Sequence, residues 1–171
     1  YWLTSSRRGV ACFVPSKFHN LNFEAGLGEM TVNSTAFFDN KIYIGSDQGL
    51  YIVDKSGQVV ENELTEMLKD NRIQCLIEDS KNNLWICTYM DYGVIRYNHV
   101  TKEIVCFNSK EKGLINDRTN YVTETNDGRI VIGTDVGVSI IKDEEVIESY
   151  SNKDGMLNAY ILSVAEDSDG N

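Results

Sequence analysis

Proline is nearly absent from this chain, with one among 171 residues, and histidine, cysteine and positive charge are also scarce. So little proline argues against a disordered, proline-rich linker. Only His19 and His99 are present, which leaves few ligands for a catalytic metal. No stretch approaches 18 consecutive apolar residues, and no charged-then-apolar leader opens the chain, so the segment as given reads as soluble. Lysine and arginine number 16 against 26 acidic residues, a net charge of −10. A nucleic-acid reader or a protein docking on anionic lipid needs a basic face, so neither partner is expected. Cys12, Cys75, Cys87 and Cys106 form no CxxC pair, and each lies in or beside an apolar strand pattern. They read as buried small hydrophobes, with a disulfide or metal site as an alternative that no spacing supports, and four thiols mildly disfavour a strongly oxidising compartment. No glycine-rich phosphate loop or nucleophile motif occurs, so no cofactor and no metal are expected.

What the chain does have is repetition. Trp2-Leu-Thr-Ser5, Tyr43-Ile-Gly-Ser46, Trp85-Ile-Cys-Thr88 and Val131-Ile-Gly-Thr134 are variants of one line. Each is followed by Gly-Val or Gly-Leu, at Gly9, Gly49, Gly93 and Gly137. Successive copies begin 41, 42 and 46 residues apart. Several short strands within such a period predict an all-β fold, a β-propeller of four-stranded antiparallel blades.

Residues 71–108 show one unit whole. Ile73–Glu78, Leu84–Thr88, Val94–Tyr97 and Ile104–Phe107 are β-rich runs separated by turn clusters, here called strands A, B, C and D. Tyr121–Glu124, Ile130–Thr134, Val138–Ile141 and Val146–Tyr150 repeat the order, and residues 158–166 predict a further strand A whose Glu166 aligns with Glu124 and Glu78. An earlier unit has its A near Thr31–Phe38, B at Ile42–Ser46 and C at Leu50–Asp54, followed by residues 61–70, which could form a helical turn and are read as a connecting loop. Repeat phase divides the chain into units of roughly 1–41, 42–83, 84–129 and 130–171, each running B-C-D and then the next A. Start and stop share one phase, the expectation for a piece of a larger ring. In isolation the last A could complete the first unit, or two copies could exchange it as a homodimer. Tyr43 and Trp85 are expected to fill the core between blades. The small residue at Gly45, Cys87 and Gly133 is expected to permit close packing of neighbouring blades.

The passage Ile73 to Tyr97, with Glu78-Asp79, Asn83-Leu-Trp-Ile86 and Gly93-Val-Ile-Arg-Tyr97, resembles the two-component regulator propeller repeat. Lys112-Gly-Leu-Ile-Asn116 and Asp154-Gly-Met-Leu-Asn158 resemble that family's Gly-Leu-x-Asn linker. Cys87 in place of glycine, Val131 in place of tryptophan and the irregular 14–41 region depart from it. The resemblance implies the extracytoplasmic, periplasmic or cell-surface sensor region of a membrane-bound bacterial histidine kinase or diguanylate cyclase. It also implies a saccharide or other small polar ligand, with the membrane reached only through the parent protein. Neighbouring blades of that parent, in a larger ring of the seven-bladed type, are the implied structural partners.

In A-B-C-D order the B–C and D–A connections share one face. They carry Arg7, Arg8, Asp47, Arg72, Tyr89, Asp91, Tyr92, Arg118, Asp135 and Tyr160, a set able to hydrogen-bond and stack on a polar ligand. Ordinary loop residues or inter-blade salt bridges are the alternative reading. The A–B and C–D turns of the other face read as a plain solvated rim. A protein-interaction scaffold, with Tyr89, Met90 and Tyr92 as a contact knob, and a propeller lyase or hydrolase are the competing functions. The segment itself is expected to be non-catalytic.

Overall fold

A computed structural model describes residues 2–5, 9–12, 25, 27–90 and 92–170, the first two stretches by their backbone. Among the described residues four antiparallel sheets follow one another along the chain, each in sequential strand order. The first is β1 (Trp2–Ser5) with β2 (Gly9–Cys12). The second is β3 (Val32–Phe38), β4 (Lys41–Ser46) and β5 (Gly49–Val53). The third holds β6 (Ile73–Glu78), β7 (Asn83–Thr88), β8 (Val94–Asn98) and β9 (Ile104–Phe107). The fourth holds β10 (Thr119–Glu124), β11 (Ile130–Thr134), β12 (Val138–Lys142) and β13 (Glu145–Tyr150). Three of the four are thus the blade-like units expected of a partial propeller.

Packing between sheets explains the strand sequences. Strand β7 is buried along its whole length because both its faces are covered. Leu84 and Ile86 join Tyr43, Ile52 and Ile95 in the layer between the second and third sheets. Trp85 and Cys87 point the other way, into a layer with Phe107, Val122 and Ile132. Alternate side chains feed alternate cores, so the strand reads as a continuous apolar run instead of apolar–polar alternation. By contrast β13, on the outside, is exposed at five of six positions.

The expected small-residue contact is present. A Cβ added at Gly45 would lie 2.6 Å from Ile73 Cγ2, and one at Gly133 would lie 2.7 Å from Ile161 Cγ2. In both cases the neighbour belongs to the segment entering the next blade. Gly93 and Gly137 have positive φ, 64° and 155°, and side chains there would run into the carbonyls of Phe107 and Tyr150.

Three expectations are corrected. Residues 61–70 are not merely a loop: Glu63–Met67 forms a short helix, α1, where the second sheet would carry its outer strand. Asn62 caps it, accepting from Thr65 N at 3.0 Å, while Thr65 Oγ1 accepts from Asn62 N at 2.9 Å. Leu64 and Leu68 then bury into the core, and the outer strand shrinks to a single bridge, Val53 with Val59. Residues 158–166 do not form a strand, because no strand pairs with them among the described residues. They still hold the position of a strand A: Ile161 N donates to Thr134 O at 2.9 Å, and Glu166 accepts from Asn126 N at 2.6 Å. Glu124 does the same for the preceding turn, accepting from Ser80 N and Oγ, each at 2.7 Å. Glu124 and Glu166 therefore staple their segments to the A–B turn before each.

The third correction concerns one residue of the solvated rim, whose turns are otherwise mostly exposed. Asp79 in the A–B turn is buried, and its carboxylate accepts from Trp85 Nε1 at 2.7 Å, Asn83 Nδ2 at 2.9 Å and Asn83 N at 2.8 Å. The Asp-x-x-x-Asn-x-Trp spacing fixes the turn and aims the indole into the core, since a buried carboxylate persists only when its oxygens are satisfied.

Candidate functional site

The site is assembled at the B–C connections. Ser46, Thr88 and Thr134 end their B strands fully buried, and each hydroxyl donates to the carbonyl of the glycine at or just before the start of strand C, at 3.0, 2.8 and 2.9 Å. That closes the turn tightly and presents the next residue, Asp47, Tyr89 or Asp135, at the rim. Their backbone amides donate to Thr31 O, Arg72 O and Arg118 O at 3.3, 3.0 and 3.2 Å. The residue preceding each strand A is thereby set beside its own blade's B–C turn.

Strand A carries a register shift one residue later in each of these three sheets, spanning Asn33, Gln74 and Asn120. Two of these bulges turn an amide toward the rim. Asn33 Nδ2 donates to Asp47 Oδ1 at 2.8 Å and to Ile73 O at 3.0 Å. Asn120 Nδ2 repeats this with Asp135 Oδ1 at 3.0 Å and Ile161 O at 3.1 Å. Neither asparagine was among the expected site residues. Their recurrence at the second position of strand A was the available signal.

Five expected residues come together as a belt. Arg72 Nε lies 3.0 Å from Asp47 Oδ1, and its guanidinium carbon sits 5.6 Å from the centre of the Tyr89 ring. Arg118 approaches the same ring at 5.4 Å and reaches Asp135 Oδ2 at 3.9 Å. Tyr89 donates its hydroxyl to Asp135 Oδ2 at 3.2 Å, and this bond to a carboxylate pushes the phenol above its ordinary range. Cation–π contact and ion pairing thus hold the aromatic ring between two guanidinium groups. The side chains of Arg118 and Arg72 stay 63% and 46% exposed, with donors left for solvent or a ligand. Beside them lies a hollow of about 440 Å³ lined by Tyr89, Met90, Ser109, Ile115, Asp117 and Arg118 among others.

The rest of the expected set does not join the belt. Tyr92 is half-buried against the apolar layer between the second and third sheets. Tyr160 is exposed at the equivalent position of the next segment, close enough to act on the Tyr89 hydroxyl electrostatically. Arg7, Arg8 and Asp91 lie outside the described residues. Among the described residues no group of three or more His, Cys, Asp or Glu is placed to hold a metal. His99 stands edge-on to Phe38, 3.8 Å from Asp39.

A family model described as "Two component regulator propeller" matches residues 67–90, which span the end of α1, strands β6 and β7 and the residues after them. No curated protein matches the chain. Among solved structures, the chain is similar to the extracellular domain of a putative one component system from B. thetaiotaomicron. The identity is 19% and the TM-score 0.64, over 81% of this chain and 18% of that one. A structure of that domain described as part of a putative hybrid two component system gives 23% and 0.53, over 70% and 18%. Virginiamycin B lyase from Staphylococcus aureus gives 17% and 0.62, over 82% and 47%. At these identities the likeness is one of fold, and the chain spans less than half of each of these proteins. Among the described residues no helix is long and apolar enough to cross a membrane.

Proposed function

We propose that this chain is part of the extracytoplasmic sensor propeller of a membrane-bound bacterial signalling receptor, with a kinase or cyclase output carried elsewhere in the parent protein. In this reading the B–C face receives a small polar ligand, a saccharide first among candidates. The repeat matched at 67–90 and the fold shared with an extracellular domain of B. thetaiotaomicron support the receptor part. The observation carrying the ligand part is Tyr89, held between Arg72 and Arg118 beside an open hollow. The Tyr89 ring fixes both guanidinium groups in place, and their exposed donors orient hydroxyl or carboxylate groups of a ligand at the hollow.

The test is thermal unfolding and calorimetric titration of the chain against neutral and acidic oligosaccharides. A ligand at 100 times its Kd should stabilise the protein by about 2.7 kcal/mol. Tyr89→Ala and Arg118→Ala should each weaken binding at least about tenfold, the loss of about 1.4 kcal/mol. A panel without a binder, or one whose binding both variants leave unchanged, removes this reading. Met90, 55% exposed on the same loop, favours a protein partner as the second reading. Loss of partner capture in Met90→Glu with no effect of saccharides would select it.

A further inference from the structure

The third sheet departs from its neighbours at three coordinated positions. Cys87 stands where the second and fourth sheets have Gly45 and Gly133. Directly opposite it on β6 is Cys75, where the neighbouring sheets have Ser34 and Tyr121. Thr119, facing Cys87 from the next blade, takes the place held by Ile73 against Gly45 and by Ile161 against Gly133. Its hydroxyl donates to Thr88 O and Gly93 O, at 2.9 and 3.0 Å. A larger residue has entered a glycine site, a smaller one faces it, and the cross-strand partner is a second thiol.

We propose that Cys75 and Cys87 are a cross-strand disulfide pair, joined when the chain meets a disulfide oxidant. Facing residues of an antiparallel pair have Cα atoms about 4.5 or 5.5 Å apart. Both separations fall within the roughly 4.4–6.8 Å that a disulfide spans. Both side chains line the layer between the third and fourth sheets. Cys106 packs against the other apolar layer, on the far side of the sheet.

The chemistry balances as thiol–disulfide exchange. The Cys75 thiolate attacks a sulfur of an oxidised glutathione-type disulfide, and one glutathione thiolate leaves. The Cys87 thiolate then attacks Cys75 Sγ, forming the internal bond and expelling the second glutathione. Two cysteine protons and two electrons pass to the reagent. Cys75 goes first on three grounds: it is 8% exposed against 0% for Cys87, its thiol is drawn down by the neighbouring Cys87 side chain, and burial pushes Cys87 up. This inference stands apart from the ligand reading, and in a reducing compartment the pair stays as thiols.

The experiment equilibrates the purified chain with oxidised glutathione, then denatures, alkylates without reduction and digests with trypsin. Cleavage after Lys81 places Cys75 in peptide 73–81 and Cys87 in peptide 82–96. The expected product is the two peptides linked, lighter by two hydrogens than their sum, with a thermal midpoint that falls on reduction. Cys75→Ser and Cys87→Gly, which restore residues found in neighbouring sheets, should lose both the linked peptide and the midpoint difference. Complete alkylation of both cysteines after oxidation, or a link from either to Cys12 or Cys106, overturns the proposal.

Discussion

Replacing Gly45 with alanine adds one methyl group where two blades meet, and its cost follows from the surrounding atoms. The backbone of Gly45 lies outside the left-handed region, so alanine is conformationally permitted and only space opposes it. The new Cβ would lie 2.6 Å from Ile73 Cγ2, 3.0 Å from Ile73 Cβ and 3.5 Å from Leu76 Cδ1. Ile73 is fully buried among Leu76, Leu84 and Ile86, so it cannot swing into solvent. Overpacking of a filled core costs about 1–3 kcal/mol. At about 2 kcal/mol the thermal midpoint of a chain this long should drop by about 4–8 °C. Gly133→Ala makes a similar contact, at 2.7 Å, but with Ile161, which is half-buried on a segment without strand pairing. That neighbour can retreat, so the second variant should lose less. Urea unfolding of both, with Gly45→Ala/Ile73→Ala as the double variant, measures the coupling, expected at about 0.5–3 kcal/mol in the relieving direction. A Gly45→Ala loss below about 0.5 kcal/mol, or a larger loss in Gly133→Ala, would refute inter-blade contact as the reason for the small residue.

Three further outcomes follow from the same contacts. Thr119→Ile should destabilise by about 1–3 kcal/mol, and Cys87→Gly in the same chain should recover part of that loss, read by urea unfolding. Asp79→Ala leaves the Trp85 indole N–H without its acceptor and should cost about 1–3 kcal/mol, with tryptophan fluorescence reporting a loosened ring. Asp127 is held at about 2 by the Thr125 hydroxyl and then by Arg129, below the ordinary 3.8. A depressed carboxyl stabilises above its unfolded value and loses that contribution as pH falls, so the gap between wild type and Asp127→Asn should narrow from pH 4 toward pH 2, about those two values. A gap independent of pH across that window would remove this role.

Much of the belt was legible because the repeat aligns equivalent positions: Asp47 with Tyr89 and Asp135, Arg72 with Arg118. Tyr92 was misplaced because two tyrosines of one loop, three residues apart, look alike in sequence, while Tyr89 faces the rim and Tyr92 the core. Asp79 was misread for a similar reason. A charged residue in a turn reads as solvated until the indole that buries against it is seen.

Repetition and spacing by themselves determined the strand order within blades, the tight B–C turns and the buried aromatic positions. These are local or once-per-period properties, written into every copy. Tertiary structure decided what depends on a neighbour. The α1 segment docks Leu64 and Leu68 where an outer strand was open. Residues 158–166 keep the place of a strand without becoming one, because a strand exists only when another pairs with it. Cys75 meets Cys87 because the bulge in β6 sets that register, twelve residues apart along the chain and directly opposite in the sheet.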